Sequence, residues 1–138
     1  MSRNKKKKIK KKIRELEQRR QRILKELLEF DEMLRGSAAM VYTKCGRSNC
    51  WCKDGKGHPH TRITWSEKSK GYTRKIPEEE LPWIKRVTDR YRRFQSLLRG
   101  LKKLEGQSRK LQKDLAELLI TETRKTKDYL WTERENRK

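Results

Sequence analysis

The sequence predicts a mainly α protein, with two long helices in an antiparallel coiled-coil-like hairpin and a small Cys/His-bearing β module between them. Three observations carry that prediction. Apolar residues recur at spacings of three and four in two separate stretches, a segment rich in β-branched and aromatic residues divides them, and all three cysteines and both histidines of the chain fall inside that segment. The composition agrees, because with 31% hydrophobic and 43% charged residues there are too few apolar groups for a broad core but enough for narrow seams.

The first element is a basic amphipathic helix within residues 1–36. Its apolar positions are Ile9, Ile13, Leu16, Ile23, Leu27, Phe30 and Leu34, and Arg20 stands at the one place where the heptad rhythm expects another apolar residue. The spacing predicts a helix over about residues 5–35, ended by Gly36 and Ser37. Residues 37–77 form the β module. Met40 to Lys44 reads as a short strand, Asp54-Gly55 as a turn, and Thr61 to Trp65 with Tyr72 to Ile76 as a hairpin joined around Ser69-Lys70-Gly71. Pro77 closes the module.

Residues 78–138 form the second helix and a tail. Acidic residues and a proline between Glu79 and Pro82 suit a helix start. The seam runs Ile84, Val87, Tyr91, Phe94, Leu98, Leu101, Leu104, Leu111, Leu115 and Leu118, with Ser108 at an intervening place. Gly100 and Gly106 weaken this helix and invite a bend. The pattern fades after Ile120, and the tail from Thr126 is expected to fray, with Tyr129, Leu130 and Trp131 available to dock. The second helix is longer than the first, and a leftover seam would suit a homodimer or another partner.

Charge bounds the partner. Lys and Arg number 40 against 19 Asp and Glu, a net charge of +21 spread over both helices and the module. Such a chain repels itself unless a polyanion neutralises it, and nucleic acid is the commonest polyanion. A membrane surface ranks below, since no helix offers a broad, aromatic-rich apolar face and no apolar run is long enough to span. The basic start has no apolar stretch after it, unlike a secretory signal, and an odd number of clustered cysteines is no disulfide framework. A cytoplasmic location is therefore expected.

The cysteines and histidines are ordered Cys45-x4-Cys50-x-Cys52-x5-His58, with His60 two residues further on. Three thiolates and one imidazole make a closed tetrahedral zinc site, and a small module poor in apolar residues needs such a staple. The reading is a structural zinc on Cys45, Cys50, Cys52 and His58, with His60 as the other possible fourth ligand; reduced free thiols are the alternative. Asp54 and Glu67 are the only acids in the module, and no acid/base pair or H-x-E motif accompanies the cysteines, so no enzyme is expected.

The run Leu34-Arg35-Gly36-Ser37, then Tyr42, Cys45-Gly46-Arg47, Cys50, Cys52 and a histidine after a glycine-bearing loop, resembles a small prokaryotic family of unknown function. That family carries L-R-G-S, Y-x-x-C-G-K-x-x-C-x-C and H-G-P-Y, and is sometimes encoded near mobile elements. Gly71-Tyr72-Thr73-Arg74 and Ile76-Pro77 look like its basic strand, so the resemblance covers about residues 34–95. It implies a bacterial or archaeal source and no activity. Here Pro59-His60 follows the histidine, Trp51 stands where the family has a basic residue, and the two long helices look like elaborations of its core.

For nucleic acid, Arg47, Lys53, Lys56, Arg62, Lys70, Arg74 and Lys75 surround Trp51, Trp65 and Tyr72, with His60 nearby. Basic residues interleaved with aromatics suit single-stranded or looped RNA, where bases stack on rings. Trp51 is the stacking candidate, while Trp65 and Tyr72 also suit the module's own core. Lys5, Lys6, Lys7, Lys8, Lys10, Lys11 and Lys12, with Arg86, Arg90, Arg92 and Arg93, read as phosphate contacts. The expected function is non-enzymatic binding of structured RNA as a ribonucleoprotein component. A DNA-binding accessory of a mobile element and a coiled-coil scaffold are the alternatives.

Overall fold

A computed structural model describes residues 2–127 and 129. The order is α1 (Ser2–Leu27), β1 (Ser37–Thr43), a 3-10 turn (Trp51–Asp54), β2 (His58–Glu67), β3 (Lys70–Lys75), a second 3-10 turn (Glu78–Glu80) and α2 (Leu81–Thr126). The protein is thus mainly α, with two long helices separated by a small three-stranded antiparallel sheet. Leu130 and Trp131 of the expected tail lie outside the described residues. The chain divides into two compact units, Met1–Leu28 with Leu97–Lys138, and Glu29–Ser96.

In the first unit, α1 is built mostly of Lys, Arg, Glu, Gln and Leu, all good helix formers, and holds no Gly or Pro. Leu16, Leu97 and Leu104 are buried here, and Ile9, Ile13, Ile23, Leu27, Leu101, Leu111, Leu115 and Leu118 are half-buried. The buried line differs from the expected one at a single step. Leu97 is 7% exposed and Leu98 is 45% exposed, so the spacing after Phe94 is three instead of four. Arg20, at the interruption of the apolar rhythm, bonds Glu17 at 2.8 Å and lies 4.0 Å from Glu105 on α2. Lys6 bonds Glu122 at 2.8 Å. The helix runs unbroken through Gly100 and Gly106; a methyl at Gly100 would meet the Ile23 side chain at an ordinary 3.8 Å.

In the second unit, β1 pairs with β2 and β2 with β3, with Ala38 opposite Ile63, Ile63 opposite Arg74, and Arg62 opposite Lys75. Strand alternation puts Ala38, Ile63 and Trp65 on one face. Ala38 and Ile63 bury with Ile84 of α2, and Trp65, Ile76 and Leu81 pack around them. His60, Arg62, Thr64, Thr73 and Lys75 belong to the other face.

Two expectations are corrected in this unit. α1 stops at Leu27, short of residue 35, and the chain continues through residues 29–36 without helix. Phe30 meets Phe94 edge-on at 5.3 Å, the Leu34 amide donates to the Val87 carbonyl at 3.0 Å, and Arg35 lies over the Tyr91 ring. Those contacts use the two last seam residues in a non-helical segment, which tertiary packing favours over helix propensity. Gly36 is therefore no helix cap. It opens β1 at φ +118°, where a Cβ would lie 2.4 Å from the Thr64 carbonyl oxygen. The hairpin also turns one residue earlier than expected, on Lys68 and Ser69, both at positive φ (48° and 68°).

Candidate functional site

The loop between β1 and β2 brings the thiols and one imidazole together. Cys45 follows β1, Cys50 and Cys52 flank the start of the first 3-10 turn, and His58 opens β2 opposite Thr43. Backbone bonds from the Cys50 amide to Arg47, from Lys53 to Cys50 and from Gly55 to Cys52 curl the loop. Gly57 closes it at φ +106°, so near Thr43 that a Cβ would sit 2.5 Å from that residue's carbonyl carbon. Only glycine fits there.

One ligand atom from each of Cys45, Cys50, Cys52 and His58 lies within 4.8 Å of the others. The Cys45 and Cys52 sulfurs are 3.4 Å apart, and Cys50 Sγ is 3.2 Å from His58 Nε2. A tetrahedral ion with bonds of about 2.3 Å to sulfur and about 2.0 Å to nitrogen would hold such atoms about 3.5–3.8 Å apart. The four donors are therefore close enough to bind a metal ion. His60 is outside the group.

The thiols differ electrostatically. The Arg47 amide, with hydrogen bonds from Cys52 and His58, pulls the exposed Cys45 thiol down from 9.0 to about 6. The Cys45 amide donates to Cys52 Sγ at 3.4 Å and lowers that thiol, but desolvation and the neighbouring thiols outweigh it and leave Cys52 raised. Cys52 is fully buried and Cys45 exposed, so the cluster has a dry side and a wet side.

Trp51, between two of the thiols, is 66% exposed, and its ring meets the His58 ring edge-on at 4.9 Å. Around it the Lys44 amine donates to the Lys53 carbonyl at 3.1 Å, and the Lys56 amine lies 5.6 Å from the centre of the exposed Tyr42 ring. Tyr42 and Lys44 were not among the expected site residues; the signal for them is that they lead directly into Cys45. Arg47 is exposed on the same loop.

The other expected contacts separate into groups. Arg62 and Lys75 face each other across β2 and β3, with His60 two residues along the same face. Both are exposed, and among the described residues no carboxylate lies within ion-pair distance of either. Arg74 falls on the opposite face beside Ile63, and Lys70 is exposed at the hairpin. Lys5, Lys7, Lys8, Lys10, Lys11 and Lys12 are exposed along α1. Lys6 is bonded to Glu122, Arg90 lies 3.7 Å from Glu32, and Arg92 pairs with Asp89 and donates to the Gly36 carbonyl. Arg93 also has a partner, while Arg86 is exposed.

These features define a class: a helical protein with a compact β module that carries a Cys3His group able to hold a metal. Residues 5–86 match the model of a domain of unknown function (DUF6788), and the chain belongs to that family. The match starts at residue 5, so α1 lies inside the shared domain and is no elaboration of it. No curated protein and no solved structure matches the chain. No helix among the described residues is long and apolar enough to cross a membrane.

Proposed function

We propose that this protein is a non-enzymatic nucleic-acid-binding protein, favouring structured or single-stranded RNA, whose β module is folded around a structural zinc ion. The observation that carries the reading is the pair Arg62 and Lys75, opposed on an exposed sheet face without a carboxylate near them. Like charges directly across a strand pair are destabilising, so a chain that keeps them there gains when an anion arrives. The same logic applies to α1, whose first turn has no acid and whose basic start opposes the helix dipole. With a net charge of +21, a polyanion relieves both.

Zinc is the metal the donor set fits best, since thiolate and imidazole in a closed group of four suit it and leave no open position for catalysis. The zinc staples the sheet that presents Arg62 and Lys75. The ion pairs Lys6–Glu122 and Arg20–Glu105 support an antiparallel coiled-coil hairpin of α1 with the later part of α2.

The test is fluorescence anisotropy with labelled single-stranded RNA, hairpin RNA and duplex DNA over a salt series. Affinity should fall steeply and linearly on a log–log plot, and Arg62→Gln with Lys75→Gln should reduce the slope by about one to two. Binding that ignores salt, or none at low salt, would reject the reading. Tightest binding to duplex DNA would move the assignment to a DNA accessory. A dimer formed in sedimentation without nucleic acid, together with absent RNA binding, would support the scaffold instead.

A further inference from the structure

The opposite face of the sheet carries a cleft of about 470 Å³ beside the small core, lined by Leu34, Arg35, Ile63, Trp65, Glu67 and Arg74 among others. That volume is within the range of small-molecule sites, which are mostly apolar with a few directed polar groups. We infer that this cleft receives one unstacked nucleotide of a bound single strand, its base against Trp65 and its phosphate at Arg74 and Arg35. The inference rests on the nucleic-acid-binding reading and adds a base-recognising site to it.

The arrangement follows from strand register. Ile63, Trp65 and Glu67 share one face of β2 at alternate positions, and Arg74 of β3 lies directly opposite Ile63. Trp65 is half-buried, and Tyr72 stacks on it at 5.3 Å and 15°. Tyr72 does not line the cleft, and its ring occupies one face of the indole. An aromatic ring already fixed by a stacked neighbour loses little freedom when a base stacks on it.

The polar rim selects the occupant. An apolar peptide side chain or a lipid tail would leave the exposed Arg74 guanidinium and Glu67 carboxylate at the mouth without use. A nucleotide uses both: arginine forks match phosphate oxygens, and a carboxylate accepts from an amino or imino N–H of the base. Arg74 and Glu67 have no ion-pair partner among the described residues, and both are exposed.

The experiment uses the full chain and an oligouridine strand with one central 2-aminopurine, read by both anisotropy and aminopurine fluorescence. A blunt duplex without unpaired bases and free 2-aminopurine riboside monophosphate are the comparison probes. Binding of the strand should quench the aminopurine, Trp65→Leu should abolish the quench and weaken the strand at least about 5-fold, and Trp51→Ala should leave the quench in place. Because Trp65→Leu also touches the core, Glu67→Gln and Arg74→Gln at the exposed rim serve as the second pair. Each should weaken the strand by clearly more than it changes duplex affinity, whereas Arg62→Gln on the other face should weaken both probes alike. Salt-dependent strand binding whose quench survives Trp65→Leu, or follows Trp51, would overturn the cleft and leave nucleic-acid binding standing. So would uptake of the free nucleotide with no response from the strand. Absence of any strand binding in anisotropy would overturn both.

Discussion

Lys6 shows how one charge in a lysine run can serve a different purpose from its neighbours. The apolar rhythm of α1, read back from Leu27 through Leu16 and Ile9, reaches residue 6 at the next step of three. Lys6 therefore projects from the seam side, and its amine meets Glu122, one step of four beyond Leu118 on the α2 seam. Lys5 and Lys8 lie off that line and stay exposed. Lys6→Gln should cost about 0.2–1 kcal/mol of stability, the usual worth of a surface ion pair, with little change in RNA affinity. Lys5→Gln with Lys8→Gln should do the reverse, lowering affinity and leaving stability within about 0.5 kcal/mol. Chemical denaturation and salt-dependent anisotropy on the same variants separate the two effects, and equal losses in affinity would show that Lys6 belongs with the phosphate contacts.

At the scale of elements, periodicity located both helices, all three strands and the line of buried residues on α1. The clustering of cysteine and histidine, which is independent of fold, pointed to the metal group but left His58 and His60 both open as its fourth member. What periodicity missed is tertiary. The seam residues Phe30 and Leu34 satisfy the heptad pattern yet lie in a non-helical segment, Phe30 against Phe94 and Leu34 bonded through its amide to Val87, and nothing local to them distinguishes the two outcomes. Leu97 and Leu98 are chemically identical neighbours, so only the geometry of packing chooses between them. The first turns of α2 bury Ile84 against the sheet, a use of that seam that local spacing alone does not reveal. The hairpin turn gives this scale its prediction. Two residues, Lys68 and Ser69, connect Glu67 to Lys70, both at positive φ, which is the geometry that favours Asn-Gly. Lys68→Asn with Ser69→Gly should raise stability by about 0.5–1 kcal/mol, measured as a higher denaturation midpoint. A lower midpoint would show that the turn adopts another conformation in solution.

For the whole molecule, the two compact units are held by different forces, and metal removal should separate them. The unit of residues 1–28 and 97–138 rests on leucines and isoleucines at helical spacing, helped by the ion pairs of Lys6 and Arg20. The unit of residues 29–96 has a smaller core around Ala38, Ile63 and Ile84, with Val87 and Thr88 buried nearby, and its Cys3His group lies in a loop with little apolar burial beyond Cys52. Structural zinc contributes about 10–16 kcal/mol to peptides that fold around it, far more than that core can supply to the loop. A strong chelator should therefore erase the near-ultraviolet signal of Trp51 and expose Cys52 to alkylation. Most of the helical signal at 222 nm should remain, since much of α1 and α2 belongs to the other unit. RNA affinity should fall but not vanish, because the exposed lysines of α1 stay in place while the sheet that opposes Arg62 to Lys75 does not. Added zinc should restore all three readouts together. Complete loss of helix on chelation would mean that the metal supports both units, and unchanged thiol reactivity would mean that the loop folds on its hydrogen bonds alone.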